Sequence, residues 1–319
     1  MTVTVNGKAS ISDNRTSSCV QYTARRSGEV ALRALSTEQT ATVMGVTSRG
    51  VFIRTASKWV IFLSYEDYCS PLTVALGERP HMLQGLRPAA PMLTAKGSLI
   101  FPTADSHIVV PRDAVWHCPR AIGPVQPVAG RVRWLQHVGQ IVVVAAQEYG
   151  LSPLLPALLD LPGNQTVPAS LEATLHTILQ LQHSLRTESV AAAVEHARRL
   201  LGKGEGLTPS GDDFMVGFLL VLNRWPRLYT FRSILYQFGE QIIKAAYDYT
   251  TTLSANLLEC SIRGESDERL IRVADQLVTG RPGTPQYVVE LLRWGASSGT
   301  AAFAGMAAAL ACQASLSLR

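Results

Sequence analysis

The spacing of apolar residues changes partway along the chain. Between about residues 40 and 145 they fall in short β-branched or aromatic runs: Val51-Phe52-Ile53, Trp59-Val60-Ile61-Phe62-Leu63, Ser98-Leu99-Ile100-Phe101 and His107-Ile108-Val109-Val110. Gly, Pro and Asp separate these runs, a pattern that predicts strands joined by turns. The run Ile141-Val142-Val143-Val144 predicts one more buried strand. Beyond Gly150, the prolines at 153, 156, 162 and 168 mark a connection with room for one short helix. After it the period becomes that of a helix. Leu171, Leu175, Ile178, Leu179 and Leu185 outline one helix, and Val190, Val194, Ala197 and Leu201 a second. Phe231, Ile234, Leu235, Phe238 and Ile242 outline a third, and Leu270, Val273 and Leu277, behind Ser266-Asp267-Glu268, a fourth. Gly264, Gly280 and Gly295 stand where helices end. The pattern predicts an α+β chain: a β-rich barrel- or sandwich-like domain over residues 1–150, then a mainly α-helical domain over 151–319.

Composition supports this division. A chain of 319 residues exceeds the usual size of one core, and 47% hydrophobic against 17% charged residues suits a packed globular protein. The net charge of +5 comes from the first half, where residues 1–150 hold 15 Lys/Arg against 9 Asp/Glu. Those cations are scattered singly, without interleaved aromatics, so a small anion or an acidic partner is expected rather than nucleic acid. The five cysteines (Cys19, Cys69, Cys118, Cys260, Cys312) show no CxxC spacing and read as reduced, mostly buried thiols. Met1–Val20 lacks the apolar centre of a signal peptide. Phe214–Leu222 and Ala301–Cys312 fall short of the ~20 residues that cross a bilayer. No membrane association is expected, and the predicted location is the cytoplasm.

The candidate chemistry centres on Gly204-Glu205-Gly206-Leu207-Thr208-Pro209-Ser210-Gly211-Asp212-Asp213, which runs directly into the apolar stretch from Phe214 to Leu222. A Gly-rich loop feeding a buried helix predicts free N–H groups at the helix start, an anion site suited to phosphate or carboxylate. Gly206 and Gly211 have the spacing of a nucleotide P-loop, but Asp212 and Asp213 stand where Lys and Ser/Thr belong, and the preceding element reads as a helix. The motif is therefore rejected. Two carboxylates would repel bare phosphate. Either Mg²⁺ bridges phosphate to Asp212 or Asp213, or these side chains hold a substrate amide or act as base. The structural alternative is capping: Ser210 and Asp213 have capping-box spacing, and Thr208 before Pro209 fits an N-cap. Capping leaves the surplus of Gly, Thr and a second Asp unexplained.

Two polar clusters accompany the loop. Tyr249-Thr250-Thr251-Thr252-Leu253-Ser254 reads as continuous helix, with Thr250 and Ser254 four apart on one face. Ser297-Ser298-Gly299-Thr300 precedes the small-residue helix Ala301–Leu316 and is a second candidate anion-binding helix start. Gly299, Gly305 and the alanines would let that helix approach a neighbour closely. The seven histidines show no HxH or HxxxH pairing, and no Gly-x-Ser-x-Gly elbow is present.

Gly206-Leu207-Thr208-Pro209-Ser210-Gly211-Asp212-Asp213-Phe214 with Gly217 resembles the signature of the AllH-type subunit family of oxamate carbamoyltransferase. Thr250-Thr251 with Ser254, then Ser298-Gly299-Thr300, resemble its later pieces in order, and the likeness covers mainly residues 170–310. One departure is that Ala296 and Ala301 stand where the family pattern often has His and an acid. The resemblance implies a multisubunit enzyme of allantoin catabolism that moves the carbamoyl group of oxalurate to phosphate, giving oxamate and carbamoyl phosphate. Other carbamoyltransferase subunits are then the expected partners, and a small oxalurate- or oxamate-like anion the expected ligand. On that reading Gly204, Gly206, Thr208, Ser210 and Gly211 would hold phosphate or the carbamoyl group, with Asp212 or Asp213, the candidate catalytic residues, orienting an amide nitrogen. Ser297, Ser298, Gly299 and Thr300 would hold the substrate carboxylate, while Thr250, Thr251 and Ser254 line the cleft. Two alternatives stand beside it: an Mg-dependent phosphate- or nucleotide-binding enzyme, and a non-catalytic regulatory subunit with an anion site.

Overall fold

The computed structural model describes residues 20–102, 105–146, 150–163, 166–280 and 285–313. The readings placed on Met1–Cys19 and on residues 314–316 lie outside them. The described residues of the first half form ten strands: β1 (Val20–Thr23), β2 (Arg26–Gly28), β3 (Gln39–Val46), β4 (Gly50–Thr55), β5 (Val60–Ser64), β6 (Thr73–Ala75), β7 (Pro91–Ala95), β8 (Ser98–Phe101), β9 (Ser106–Val109) and β10 (Val115–Trp116). They make one sheet in the order β1-β9-β8-β7-β3-β4-β5-β6-β2-β10, curled into a half-barrel. Helix α1 (Glu29–Ser36) interrupts it after β2 and buries Ala31, Ala34 and Leu35 against the apolar face of the sheet. Along β4 and β8, buried and partly exposed positions alternate, because a strand turns successive side chains to opposite faces. The pairing of β3 with β4 shifts register between Val43 and Gly45.

Helices follow from Val128: α2 (Val128–Ala146), α3 (Leu155–Leu159), α4 (Ala169–Arg186), α5 (Val190–Arg198), α6 (Ser210–Arg224), α7 (Leu235–Tyr249), α8 (Thr252–Ser261), α9 (Glu268–Thr279), α10 (Pro285–Leu292) and α11 (Ser298–Ala311). The α+β reading holds. One predicted strand does not: Ile141–Val144 lies in α2. The physical reason is the spacing of its neighbours. Leu135, Val138 and Val142 are buried at intervals of three and four, whereas Val144 is 79% exposed, so only a helix puts this run on the core.

Helices α6 and α11 form the centre of the helical part, and nearly every residue of both is buried. Their backbones touch. A Cβ added at Gly217 would lie 1.9 Å from the Ala302 carbonyl oxygen, and one at Gly305 would lie 1.9 Å from that of Phe214. The close approach expected of Gly305 is therefore real. The sheet docks on this bundle through α8 and α9: the Val60 N–H donates to Asn256 Oδ1 at 2.8 Å, and Arg26 pairs with Glu268. Glu268 also accepts the Cys69 N–H and donates its own N–H to the Cys69 carbonyl, each at 3.0 Å.

Candidate active site

The Gly-rich loop turns sharply before entering α6. Gly202, Gly204 and Gly206 have φ of +71°, +115° and +92°, a backbone region that side chains disfavour. At Gly211 the constraint is space, since a Cβ there would lie 2.0 Å from the Leu200 carbonyl oxygen. The loop thereby folds back on the end of the preceding helix, and the Gly211 N–H donates to the Lys203 carbonyl at 2.8 Å.

This turn overrides the local capping pattern. Pro209 occupies the N-cap position with no side-chain cap, and Ser210 is the first helical residue, so neither the Ser210–Asp213 capping box nor a Thr208 cap forms. Nor is the helix start a ring of free donors. The N–H groups of Asp212 and Asp213 donate to the Pro209 carbonyl at 2.9 and 3.1 Å, leaving only that of Ser210 without a protein acceptor among the described residues.

The two carboxylates are fully buried and differently held. Asp212 Oδ1 accepts the Gly202 N–H at 2.8 Å and Oδ2 accepts the Thr250 hydroxyl. Burial raises its pKa, opposed by the hydroxyls of Thr250 and Ser254 and by the Gly202 N–H. Asp213 Oδ2 accepts the Thr208 hydroxyl at 3.3 Å, while Oδ1 is buried without a hydrogen-bond partner. Burial pushes the Asp213 carboxyl up to about 7; the Ser298 and Thr208 hydroxyls pull it down, and the neighbouring Asp212 charge adds to the rise. The α6 dipole favours negative charge at this end but does not offset the loss of water. A carboxyl near neutrality can give or take a proton at physiological pH.

The companion clusters meet here from three directions. Thr208 and Ser298 place their hydroxyl oxygens 3.3 Å apart, so the loop and the start of α11 share one hydrogen-bonded corner. The predicted continuous helix across Tyr249–Ser254 is broken. Thr250 is extended at φ −142° and ψ −172°, and α8 starts anew behind Thr251, whose side chain accepts the Ser254 N–H. The break arises because both threonine hydroxyls bond the loop: Thr250 donates to Asp212, and Thr251 donates to the Leu207 carbonyl at 2.9 Å. Thr250 and Ser254 thus share no helix face, yet both act on Asp212. Ser298, Gly299 and Thr300 open α11 and are buried, with Ser297 just before them. The Gly299 N–H donates to the Trp294 carbonyl at 2.9 Å, and a Cβ at Gly299 would lie 2.0 Å from the Leu291 carbonyl oxygen. Ser210 faces the corner's rim, its Oγ 3.9 Å from where a Cβ on Gly150 would stand. Sequence reasoning missed Gly202, whose N–H fixes Asp212; a Gly two positions before the loop was its only signal.

Asp212 has both oxygens engaged by protein donors, which leaves Asp213 Oδ1 as the carboxylate oxygen open to a ligand; among the described residues no group of three His, Cys, Asp or Glu side chains stands together as a metal site.

Fold and site together define a class: an α+β protein whose helical half buries an aspartate pair at a Gly-rich helix start, under a corner of hydroxyls. Residues 200–310, which contain every side chain of that corner, match the family described as oxamate carbamoyltransferase subunit AllH. The match covers that segment and leaves the residues before 200, the β-sheet among them, outside it. No curated protein and no solved structure matches the chain.

Proposed function

We propose that the chain is a catalytic subunit of an oxamate carbamoyltransferase-like enzyme in allantoin catabolism, in which oxalurate and phosphate give oxamate and carbamoyl phosphate. The observation that carries this reading is Asp213: a buried carboxyl at about 7, with one oxygen unpartnered and the other on a hydroxyl shared with Ser298.

The reaction forms a C–O bond from phosphate to the carbamoyl carbon and breaks the C–N bond to the oxamate nitrogen. The proton of hydrogen phosphate ends on that nitrogen, which leaves as an amide. A group that accepts a proton near pH 7 and returns it suits this transfer, and Asp213 Oδ1 is free to receive an amide N–H. The Thr208 and Ser298 hydroxyls face the same carboxylate and supply donors for developing oxyanion charge. Asp212 has a positioning role, since its two bonds tie the loop to Gly202 and Thr250. Ser210, Gly204 and Gly206 then bound the phosphate side, and Ser297 to Thr300 the carboxylate side. The membership of the matched segment in a subunit family supports partner subunits that complete the enzyme.

The test is phosphorolysis of oxalurate by the chain co-purified with its partner subunits, followed as carbamoyl phosphate. Asp213→Asn is expected to lower kcat by about 10²- to 10⁴-fold, the range of a lost general acid–base, with assembly intact. Unchanged turnover in Asp213→Asn sinks the catalytic reading. Full activity of the partner subunits without this chain would instead make it a regulatory subunit.

A further inference from the structure

We infer that Arg49, carried by the β-sheet half, is an anion-binding residue of this site and holds an oxyanion of the substrates through its Nη2. The inference rests on the carbamoyl-transfer reading, in which both substrates are anions. Yet the corner at the start of α6 offers two buried carboxylates, hydroxyls and one unengaged N–H, and no salt bridge reaches Asp212 or Asp213 among the described residues. An anion brought beside carboxylates needs a cation, and no ion pair among the described residues supplies one to Asp212 or Asp213.

The turn between β3 and β4 supplies one. Its conformation is fixed: the Thr47 N–H donates to the Gly50 carbonyl at 2.9 Å, and Thr47 Oγ1 accepts the Arg49 and Gly50 N–H groups at 3.2 and 3.1 Å. Gly50 is pressed so close that a Cβ would lie 2.1 Å from the Leu63 carbonyl oxygen. From this turn the Arg49 guanidinium reaches the helical half, where Nη1 donates to the Arg293 carbonyl. Arg293 directly precedes Trp294, whose carbonyl closes the turn that opens α11 at Ser298. Beside the register shift in β3, Gly45 lies against Leu207 of the Gly-rich loop, its Cβ position 3.7 Å from Leu207 Cδ1. The hairpin therefore touches the Gly-rich loop at Leu207 and the segment before α11 at Arg293, the two segments that meet at the Thr208–Ser298 contact.

Arg49 keeps capacity for a ligand. Its Nε lies 3.6 Å from Glu66 Oε1, but Glu66 also pairs with Arg269 at 3.3 Å, so one carboxylate is divided between two guanidinium groups. Nη2 has no acceptor among the described residues, and the side chain is 41% exposed. A planar guanidinium held in place at Nε and Nη1 presents Nη2 to carboxylate or phosphate in a fixed direction, which a lysine ammonium would not match. Were Arg49 only a latch between the halves, its loss would change stability and leave substrate affinity untouched.

The experiment compares wild type, Arg49→Met and Arg49→Lys in the assembled enzyme, varying phosphate and oxalurate separately. Arg49→Met is expected to raise KM for one substrate by about ten- to hundredfold, the effect of losing a charge-assisted hydrogen bond, with kcat nearly kept and partial recovery in Arg49→Lys. The substrate whose KM rises identifies the bound oxyanion as phosphate or as the oxalurate carboxylate. Unchanged KM for both overturns the inference while the carbamoyl-transfer reading stands. If the wild-type assembly transfers no carbamoyl group, that reading fails by itself. Calorimetric titration of the full chain with phosphate and with oxamate then decides: binding weakened in Arg49→Met upholds the role of Arg49, and equal or undetectable binding in both proteins overturns it.

Discussion

Replacing Asp213 with Asn removes one ionisable group and little volume, so its effect on stability should depend almost wholly on pH. An ordinary aspartate ionises near 3.8, whereas burial raises the folded-state value to about 7. At pH below the lower value the carboxyl is protonated in folded and unfolded chains alike, and folding gains its full contribution. As pH rises from there, the unfolded chain releases a proton that the folded chain retains, so stability falls progressively until pH passes about 7 and then levels. The span of about three pH units, at about 1.4 kcal/mol each, amounts to about 4 kcal/mol lost across the window. Asp212, also raised by burial, adds slope in the same direction but is present in both proteins, so the difference between them isolates Asp213. Urea denaturation of wild type and Asp213→Asn at intervals from pH 4 to 8 measures that difference. The variant should gain on wild type steadily toward pH 7 and hold its advantage above it. Parallel curves, or a variant that loses ground to wild type between pH 5 and 7, would refute the assignment of Asp213 as a carboxyl forced to stay protonated.

Two further substitutions test the packing that presents the site. Asp275 receives Arg224 Nε at 2.6 Å and Nη2 at 2.8 Å and the Trp225 indole N–H at 2.9 Å, with the Arg224 side chain only 3% exposed. Asp275→Ala strands that guanidinium and should cost about 3–5 kcal/mol in chemical denaturation; a loss below about 1 kcal/mol would show that water reaches Arg224. Gly305→Ala sets a methyl against the Phe214 carbonyl and, at 2.8 Å, the Phe218 N–H, and it should cost about 1–3 kcal/mol by overpacking. An unchanged melting temperature there would mean that α6 and α11 separate readily.

What the sequence disclosed and what it withheld divide along the range of the interactions. The apolar run from Phe214 to Leu222 announces α6, and Asp267 at the head of α9 announces its cap, accepting the Arg269 N–H at 2.9 Å. Both depend on neighbours a few residues away. The break at Thr250 depends on Asp212, 38 residues earlier, and the closeness of Gly305 to Phe214 depends on a helix pairing that no local pattern encodes. Arg49 looked like any singly placed cation of the basic half, because its partner carbonyl at Arg293 lies 244 positions on. Likewise, Ile141–Val144 read as strand when only the run was weighed and not the buried positions before it.

The aspartate pair sharpens the contrast between capping and chemistry. A first-turn acid that merely finishes a helix sits in solvent, gains from the dipole, and keeps a low pKa. Asp212 departs from that pattern for a visible structural return, because its two oxygens bind the loop to itself and to the α7–α8 junction. Asp213 has no such return: one oxygen holds a single hydroxyl at 3.3 Å, the other holds nothing, and the carboxyl is carried at about 7 against stability. Asparagine or serine would fill that position at lower cost to folding. A buried acid whose expense the fold does not recover, placed where hydroxyls from the loop and from α11 converge, is better accounted for by a proton it must exchange than by the helix it begins.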